Sequence, residues 1–200
     1  MTKTFFDLTD GENRDHYRLL TGLVVPRPIG WIGTRRADGS NNLAPFSFFN
    51  VISVDPPVVV FSAGSHTDRP KDSASLAVET GEFSVNIVSE AVVEAMVLTS
   101  GTYAAEDDEF AIAGLTAVSG IRIAAPLVAE SPANLECRVR QVIDIGEKTK
   151  VILGDVVAIH VDGSVLDGAR VDNDTLRAVG RMAGASYVDT RRRFEVNRPA

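Results

Sequence analysis

One cysteine, Cys137, stands in 200 residues, and that scarcity removes whole classes of chemistry. It rules out an internal disulfide and any thiolate-rich zinc or iron–sulfur site built from this chain alone. A reducing cytoplasm is the expected compartment. Long apolar runs are missing as well. No stretch reaches the roughly 18 apolar residues that would span a bilayer, and Asp7 interrupts the first ten residues before a leader-like apolar segment develops. Neither a membrane span nor a signal peptide is expected. Positive charge is the minority sign: 20 Lys and Arg face 27 Asp and Glu, a formal charge of −7. That balance argues against a surface built to hold nucleic acid or an anionic membrane. Several signatures are also absent, namely Gly-x-Gly-x-x-Gly opening a helix, Gly-x-x-x-x-Gly-Lys, His-Glu-x-x-His and Gly-x-Ser-x-Gly. The three histidines, His16, His66 and His160, lie far apart, so no metal-ligand spacing is visible and no metal is expected.

What is present reads as one domain over residues 1–200. Hydrophobic residues make up 44 % of the chain, enough for one core, and the 16 Gly and 9 Pro are scattered rather than pooled in a linker. Residues 10–20 read as a short helix entered at Asp10, with Tyr17, Leu20 and Leu23 on one side. Ile29 to Thr34 and Leu43 to Val54 are rich in aromatic and β-branched residues, and Asp38-Gly39 between them marks a hairpin. Asp55-Pro56-Pro57 ends the second strand, and Val58 to Ser62 begins a third, fully buried one. Residues 70–81 predict a helix capped by Asp72 or Ser73 and stopped by Gly81. A strand from Phe83 to Val88 follows, then a helix capped by Ser89 with Val92, Val93, Met96 and Val97 on its apolar face, and a helical turn at Glu106 to Ala113. Leu135 to Val142 alternates, with Leu135, Cys137 and Val139 on one face and Glu136, Arg138 and Arg140 on the other; Val151 to Val161 is its expected partner across Gly146. Strands joined by hairpins, with few short helices, favour a mainly β, mostly antiparallel barrel. Such a barrel, if not fully closed, hides its edges in a second subunit.

Two segments invite a ligand. Arg69-Pro70-Lys71-Asp72-Ser73 puts two cations and a hydroxyl at a helix start, where free N–H groups and the helix dipole favour an anion. The same residues also serve as an ordinary cap with solvated neighbours. Residues 41–50 are rich in amides and aromatics, and Ser47, Asn50 and the phenylalanines suit a flat aromatic cofactor; equally, they suit a barrel-core strand with Phe46 and Phe48 on one face. Cys137 reads as a buried structural thiol, and Trp31 as a core residue whose indole N–H needs a partner. His160 reads either as a satisfied core histidine or as one that reaches a ligand. Residues 180–187 read as a surface turn, and Arg191-Arg192-Arg193 as a solvated end.

Taken in order, Val25-Pro-Arg-Pro-Ile-Gly-Trp31, Asn42-Leu-Ala-Pro-Phe-Ser-Phe-Phe-Asn50, Asp55-Pro-Pro57, Phe61-Ser62, Lys71-Asp72-Ser73 and Gly81-Glu-Phe-Ser-Val-Asn86 resemble the flavin-reductase-like FMN-binding split-barrel family. The resemblance runs from about residue 17 to residue 190 and implies a split β-barrel homodimer with short peripheral helices and FMN near the subunit interface. By that resemblance Phe46, Ser47, Phe48, Phe49 and Asn50 line the flavin, Ser62 and Gly64 approach its ribityl chain, and Arg69, Lys71, Asp72 and Ser73 form the phosphate end. FAD is a possible substitute for FMN. The activity implied is NAD(P)H-dependent flavin reduction with an unknown acceptor, a partner monooxygenase among the candidates; an FMN-binding electron carrier or a non-catalytic binding module are the alternatives. No catalytic residue is named. Two differences from the family stand out: Ser73 and Leu76 occupy positions where it carries Thr and often Asn, and the Gly-Asp-His segment of its shorter NADH-dependent members is missing.

Overall fold

A computed structural model describes residues 1–9, 16–64, 72–104, 106–197 and 199. The expected helix at 10–20 is seen as α1 (His16–Leu23); Asp10 lies outside the described residues, and Tyr17, Leu20 and Leu23 are exposed rather than packed. Then come β1 (Arg27–Pro28), β2 (Gly30–Arg35), β3 (Asn41–Phe46), β4 (Phe49–Val54), β5 (Pro57–Gly64), α2 (Asp72–Thr80) and β6 (Glu82–Ile87). The middle of the chain forms α3 (Val93–Leu98), α4 (Glu109–Ile112), β7 (Ala117–Ser119), β8 (Pro126–Val128) and the long pair β9 (Ala133–Ile145) and β10 (Thr149–Val161). Small elements close it: β11 (Leu166–Asp167), β12 (Arg170–Val171), α5 (Asn173–Leu176), β13 (Val179–Arg181) and β14 (Tyr187–Asp189).

Seven strands make the main antiparallel sheet in the order β3-β2-β6-β9-β10-β5-β4. Its two edge strands are consecutive in sequence and joined by only Ser47 and Phe48. The sheet therefore curls until its ends meet at one corner. Pro45 is tolerated in β3 because an edge strand has one side with no ladder to supply. The expected single strand from Leu43 to Val54 is thus two strands, and the turn between them breaks the alternation that would have put Phe46 and Phe48 on one face.

Residues of β2 are buried on both sides, which explains its dense apolar sequence. Ile32 faces the barrel interior with Phe46, Phe49, Phe61, Phe83 and Cys137. Trp31 faces the other way, into a second cluster with Leu43, Val92, Met96 and Phe110, where α3 and α4 cover the sheet. Its indole N–H donates to Thr99 Oγ1 at 2.8 Å, which satisfies the one polar atom of a fully buried ring. Inside the barrel Phe61 meets Phe46 and Phe83 at ring separations of 5.3 and 5.1 Å. Burial drives the Cys137 thiol pKa strongly upward, so it is the inert structural thiol expected.

Several local expectations are refined. Instead of being wholly buried, β5 alternates, with Val59, Phe61 and Ala63 inside and Ser62 half-buried. Gly81 ends α2 at φ +73°, a left-handed conformation that glycine adopts without strain. Asp72 and Ser73 are both already within α2, so neither is the expected cap, and residue 71 ahead of the helix lies outside the described residues. Ser89 makes no side-chain capping bond, and a 3-10 turn, Glu90–Val92, precedes α3. The later helical turn is cut to α4, since Asp108 accepts the Phe110 N–H at 2.9 Å and caps it there. Residues 180–187 are no loose turn: β13 and β14 form a hairpin that joins β1 in a three-stranded sheet. None of the described helices is long and apolar enough to cross a membrane.

Candidate functional site

The corner that joins the two sheet edges brings together Ser47, Phe48 and Ser62 of the expected site. Phe48 leaves 51 % of its area exposed, and its carbonyl accepts the Ser62 N–H at 2.8 Å, so the corner is tied to β5. Ser47 Oγ receives a hydrogen bond from Arg27 Nε at 3.4 Å, and the Arg27 guanidinium lies 5.9 Å from the centroid of the Phe48 ring. Phe46 and Phe49, expected beside the cofactor, put their rings into the barrel instead, because the turn sends their side chains inward. Asn50 is exposed on edge strand β4, and its Oδ1 accepts the Val51 N–H.

From the corner, β5 leads toward the second half of the expected site. Ser62 and Gly64 pair with Val151 and Thr149 of β10. A Cβ built on Gly64 would meet no atom of the described residues within 4 Å. Arg69 and Lys71 lie outside the described residues. Beyond them Asp72 opens α2, with Arg36 Nη2 at 3.7 Å from its Oδ2. Ser73 Oγ accepts a hydrogen bond from Asn42 Nδ2 at 2.8 Å, so α2 is pinned to β3 through the hydroxyl itself.

Arg27 was quoted in the family motif but given no role by sequence reasoning, and the structure makes it the support of the corner. It is buried, and its Nη1 donates to the Thr21 and Val24 carbonyls at 2.6 and 2.7 Å, capping the end of α1. Its Nη2 donates to the Met182 carbonyl at 3.2 Å. One side chain thus joins α1, the corner and the β13–β14 hairpin. A cation set between two prolines ahead of a strand is the signal that was there to be read.

His160 has a different fate. Its Nε2 lies 2.5 Å from Oε1 of Glu136, a fully buried carboxylate on β9. Glu136 also accepts the N–H groups of Ile121, Arg122 and Ile123 at 2.9, 2.6 and 2.9 Å. Burial pushes its pKa up, but these bonds outweigh it and hold the carboxyl below its ordinary range. Of the two readings of His160, the structure supports the satisfied one. It also stands nine residues along β10 from Val151, the partner of Ser62, an extended path of about 30 Å.

A mainly β antiparallel sheet closed at a two-residue corner is a split barrel, the fold of flavin-reductase-like proteins. The chain belongs to the flavin reductase like domain family, whose family model matches residues 22–187. A Deinococcus radiodurans protein, described only as uncharacterized, is 42 % identical over 207 aligned positions that cover 99 % of this chain and 91 % of that one. Among solved structures, nitrilotriacetate monooxygenase component B from Bacillus cereus superposes with a TM-score of 0.91 at 29 % identity, covering 98 % of this chain and all of that one. The Pseudomonas fluorescens 2-nitrobenzoate 2-nitroreductase NbaA gives 0.89 at 29 % identity, covering 98 % and 96 %.

Proposed function

We propose that this chain is an FMN-dependent oxidoreductase that accepts hydride from NAD(P)H and passes electrons to a separate acceptor. The observation that carries the reading is the corner itself: an exposed aromatic ring, two hydroxyls at Ser47 and Ser62, and the backbone of Gly64 follow one another toward the start of α2. That donor set fits a flavin, which needs an apolar wall at its ring and hydroxyl or backbone donors along its polar side. When bound, the flavin supplies the two-electron chemistry.

The protein's part is to bind, orient and shield. Phe48 covers the ring, Ser47 and Asn50 meet its polar edge, Ser62 and Gly64 flank the ribityl chain, and Arg69 and Lys71 receive the phosphate, while Asp72 and Ser73 fix the start of α2 through Arg36 and Asn42. Arg27 fixes Ser47 and Phe48 from below. FAD shares the ring, and the phosphate end is what favours FMN. Likeness to a monooxygenase component and to a nitroreductase supports electron delivery as the role. Val51, Ile52 and Val54 leave more than half of their area exposed on edge strand β4, which supports a homodimer that covers this edge. The working compartment in this reading is the cytoplasm.

FMN titration followed by fluorescence, then anaerobic mixing with NADH and NADPH, tests the reading. Flavin quenching and rapid bleaching are expected; no quenching and no thermal shift with FMN overturns it. Bound flavin that stays oxidised with both nicotinamides would favour an electron carrier, a role that fits the engagement of His160 by Glu136. Lys71→Glu is expected to weaken FMN binding at least about tenfold, roughly 1.4 kcal/mol, by charge reversal at the phosphate.

A further inference from the structure

The sheet β1–β13–β14 walls a cleft of about 530 Å³ that none of the residues assigned to the flavin lines. This is within the size range of small-molecule sites, about 300–1,000 Å³. Pro26, Pro28, Val179 and Val188 give it an apolar floor. Ionisable side chains stand around it, and the carboxylates among them are already paired. Asp189 lies 2.7 Å from Arg191 Nη2, whose hydrogen bond holds its pKa down at about 2. The same arginine reaches Glu90 at 3.0 Å, and Arg193 reaches Asp174 at 2.5 Å.

Two cations of the lining are left without a carboxylate among the described residues. Arg27 donates only to carbonyls and a hydroxyl, and the end of α1 offsets part of its charge. Arg192 makes no hydrogen bond or ion pair among the described residues. A local excess of positive charge over an apolar floor, in a chain of net charge −7, is a specific arrangement. We propose that this cleft binds a small planar ring carrying one anionic group, with the ring on the proline and valine floor and the anion on Arg192. The basic run at 191–193 then has a division of labour: the outer two arginines, with Arg177 at 4.0 Å from Glu90, pair with the three carboxylates, and the middle one faces the ligand. Arg27 belongs both to the cleft and to the corner at Ser47 and Phe48. The ligand is therefore the flavin's electron partner, a role that rests on the flavin reading although the binding does not.

Ligand-observed NMR on the full chain without flavin, using benzoate, its neutral isostere benzamide and nicotinamide mononucleotide, tests the proposal. Benzoate is expected to bind at least about fivefold more tightly than benzamide through its charge-assisted bond to the guanidinium. Arg192→Gln abolishes that difference and leaves the thermal midpoint and FMN affinity unchanged. Val188→Trp, which fills the floor, removes binding of both. Mutual competition between nicotinamide mononucleotide and benzoate assigns the anion to a nicotinamide nucleotide; benzoate binding without competition assigns it to a carboxylate acceptor. The proposal is overturned if neither anion binds, if benzoate and benzamide bind equally, if Arg192→Gln changes nothing, or if FMN displaces benzoate. FMN affinity is measured in parallel, and its absence in the wild-type chain would defeat the cofactor reading while leaving the cleft intact.

Discussion

Two buried glutamates, Glu136 and Glu109, behave in opposite ways. Glu136 is fully buried on β9, and its carboxylate collects three backbone N–H groups and His160. Glu109, 7 % exposed at the start of α4, accepts the Leu43 N–H at 3.1 Å. Burial raises the pKa of Glu109, and the bonds from its own N–H and that of Leu43, with the charge of Arg36, offset this only in part. Its carboxyl is thus held above the ordinary value of 4.5 and that of Glu136 below it. Depth alone does not decide the outcome; the number of donors aimed at the carboxylate does. Glu136 is a staple for the loop at 120–124, whereas Glu109 is a tolerated charge beside the polar start of α2.

Removing the staple is the strongest way to break this contrast. Glu136→Ala leaves three N–H groups without their acceptor, and a loss of about 3–5 kcal/mol is expected in urea unfolding. His160→Ala leaves the loop bonds and removes one hydrogen-bond partner of the buried carboxylate, for about 1.5–3 kcal/mol. Gly120→Ala tests the same staple from the loop side. A Cβ there would stand 2.7 Å from Glu136 Oε2, which predicts about 1–3 kcal/mol of strain, relieved in a double variant with a shorter residue at 136. The smallest effect belongs to Glu109→Gln, which keeps the acceptor and drops the charge; within about 1 kcal/mol of wild type at pH 7 is expected, on the stabilising side.

The acid limb of a stability profile sharpens the contrast through its sign. Glu136 has a folded pKa below its unfolded one, so its contribution is full above about pH 4.5, the ordinary carboxyl range, and is lost as pH falls through the folded value. Glu109 runs the other way: its contribution is full below its unfolded pKa and fades as pH rises through the raised folded value. Glu136→Gln should therefore flatten the loss of stability on acidification, and Glu109→Gln should steepen it. Matching profiles for the two variants would defeat the contrast.

Legibility in the sequence followed the range of the forces. The Asp38-Gly39 hairpin, the Gly81 stop and the alternation at 135–139 are local, and each is where turn chemistry or periodicity places it, whereas a register shift in the β9–β10 ladder breaks the alternation before Val142. Phe46 and Phe48 were harder: the turn at Ser47 leaves no glycine or double proline, and only pairing with distant strands shows that two edges meet there. Arg27 and Glu136 escaped because their partners are mostly backbone groups, which carry no side-chain signature. Ser73 falls at the start of α2 for a local reason, yet its bond partner, Asn42, comes from strand β3.

The two-residue link between the edges of a seven-stranded sheet has a mechanical meaning. A closed hoop transmits strain around its circumference, but a hoop with one latch concentrates it there. The latch is Ser47–Phe48, held by Arg27 on one side and by the Ser62 N–H on the other. A ligand that settles on Phe48 therefore fastens the hoop without reshaping it. Amide exchange should slow at residues 47–50 and 62–64 on FMN addition while the β9–β10 ladder keeps its rates. A change spread evenly around the sheet would mean that the strain is shared by every strand.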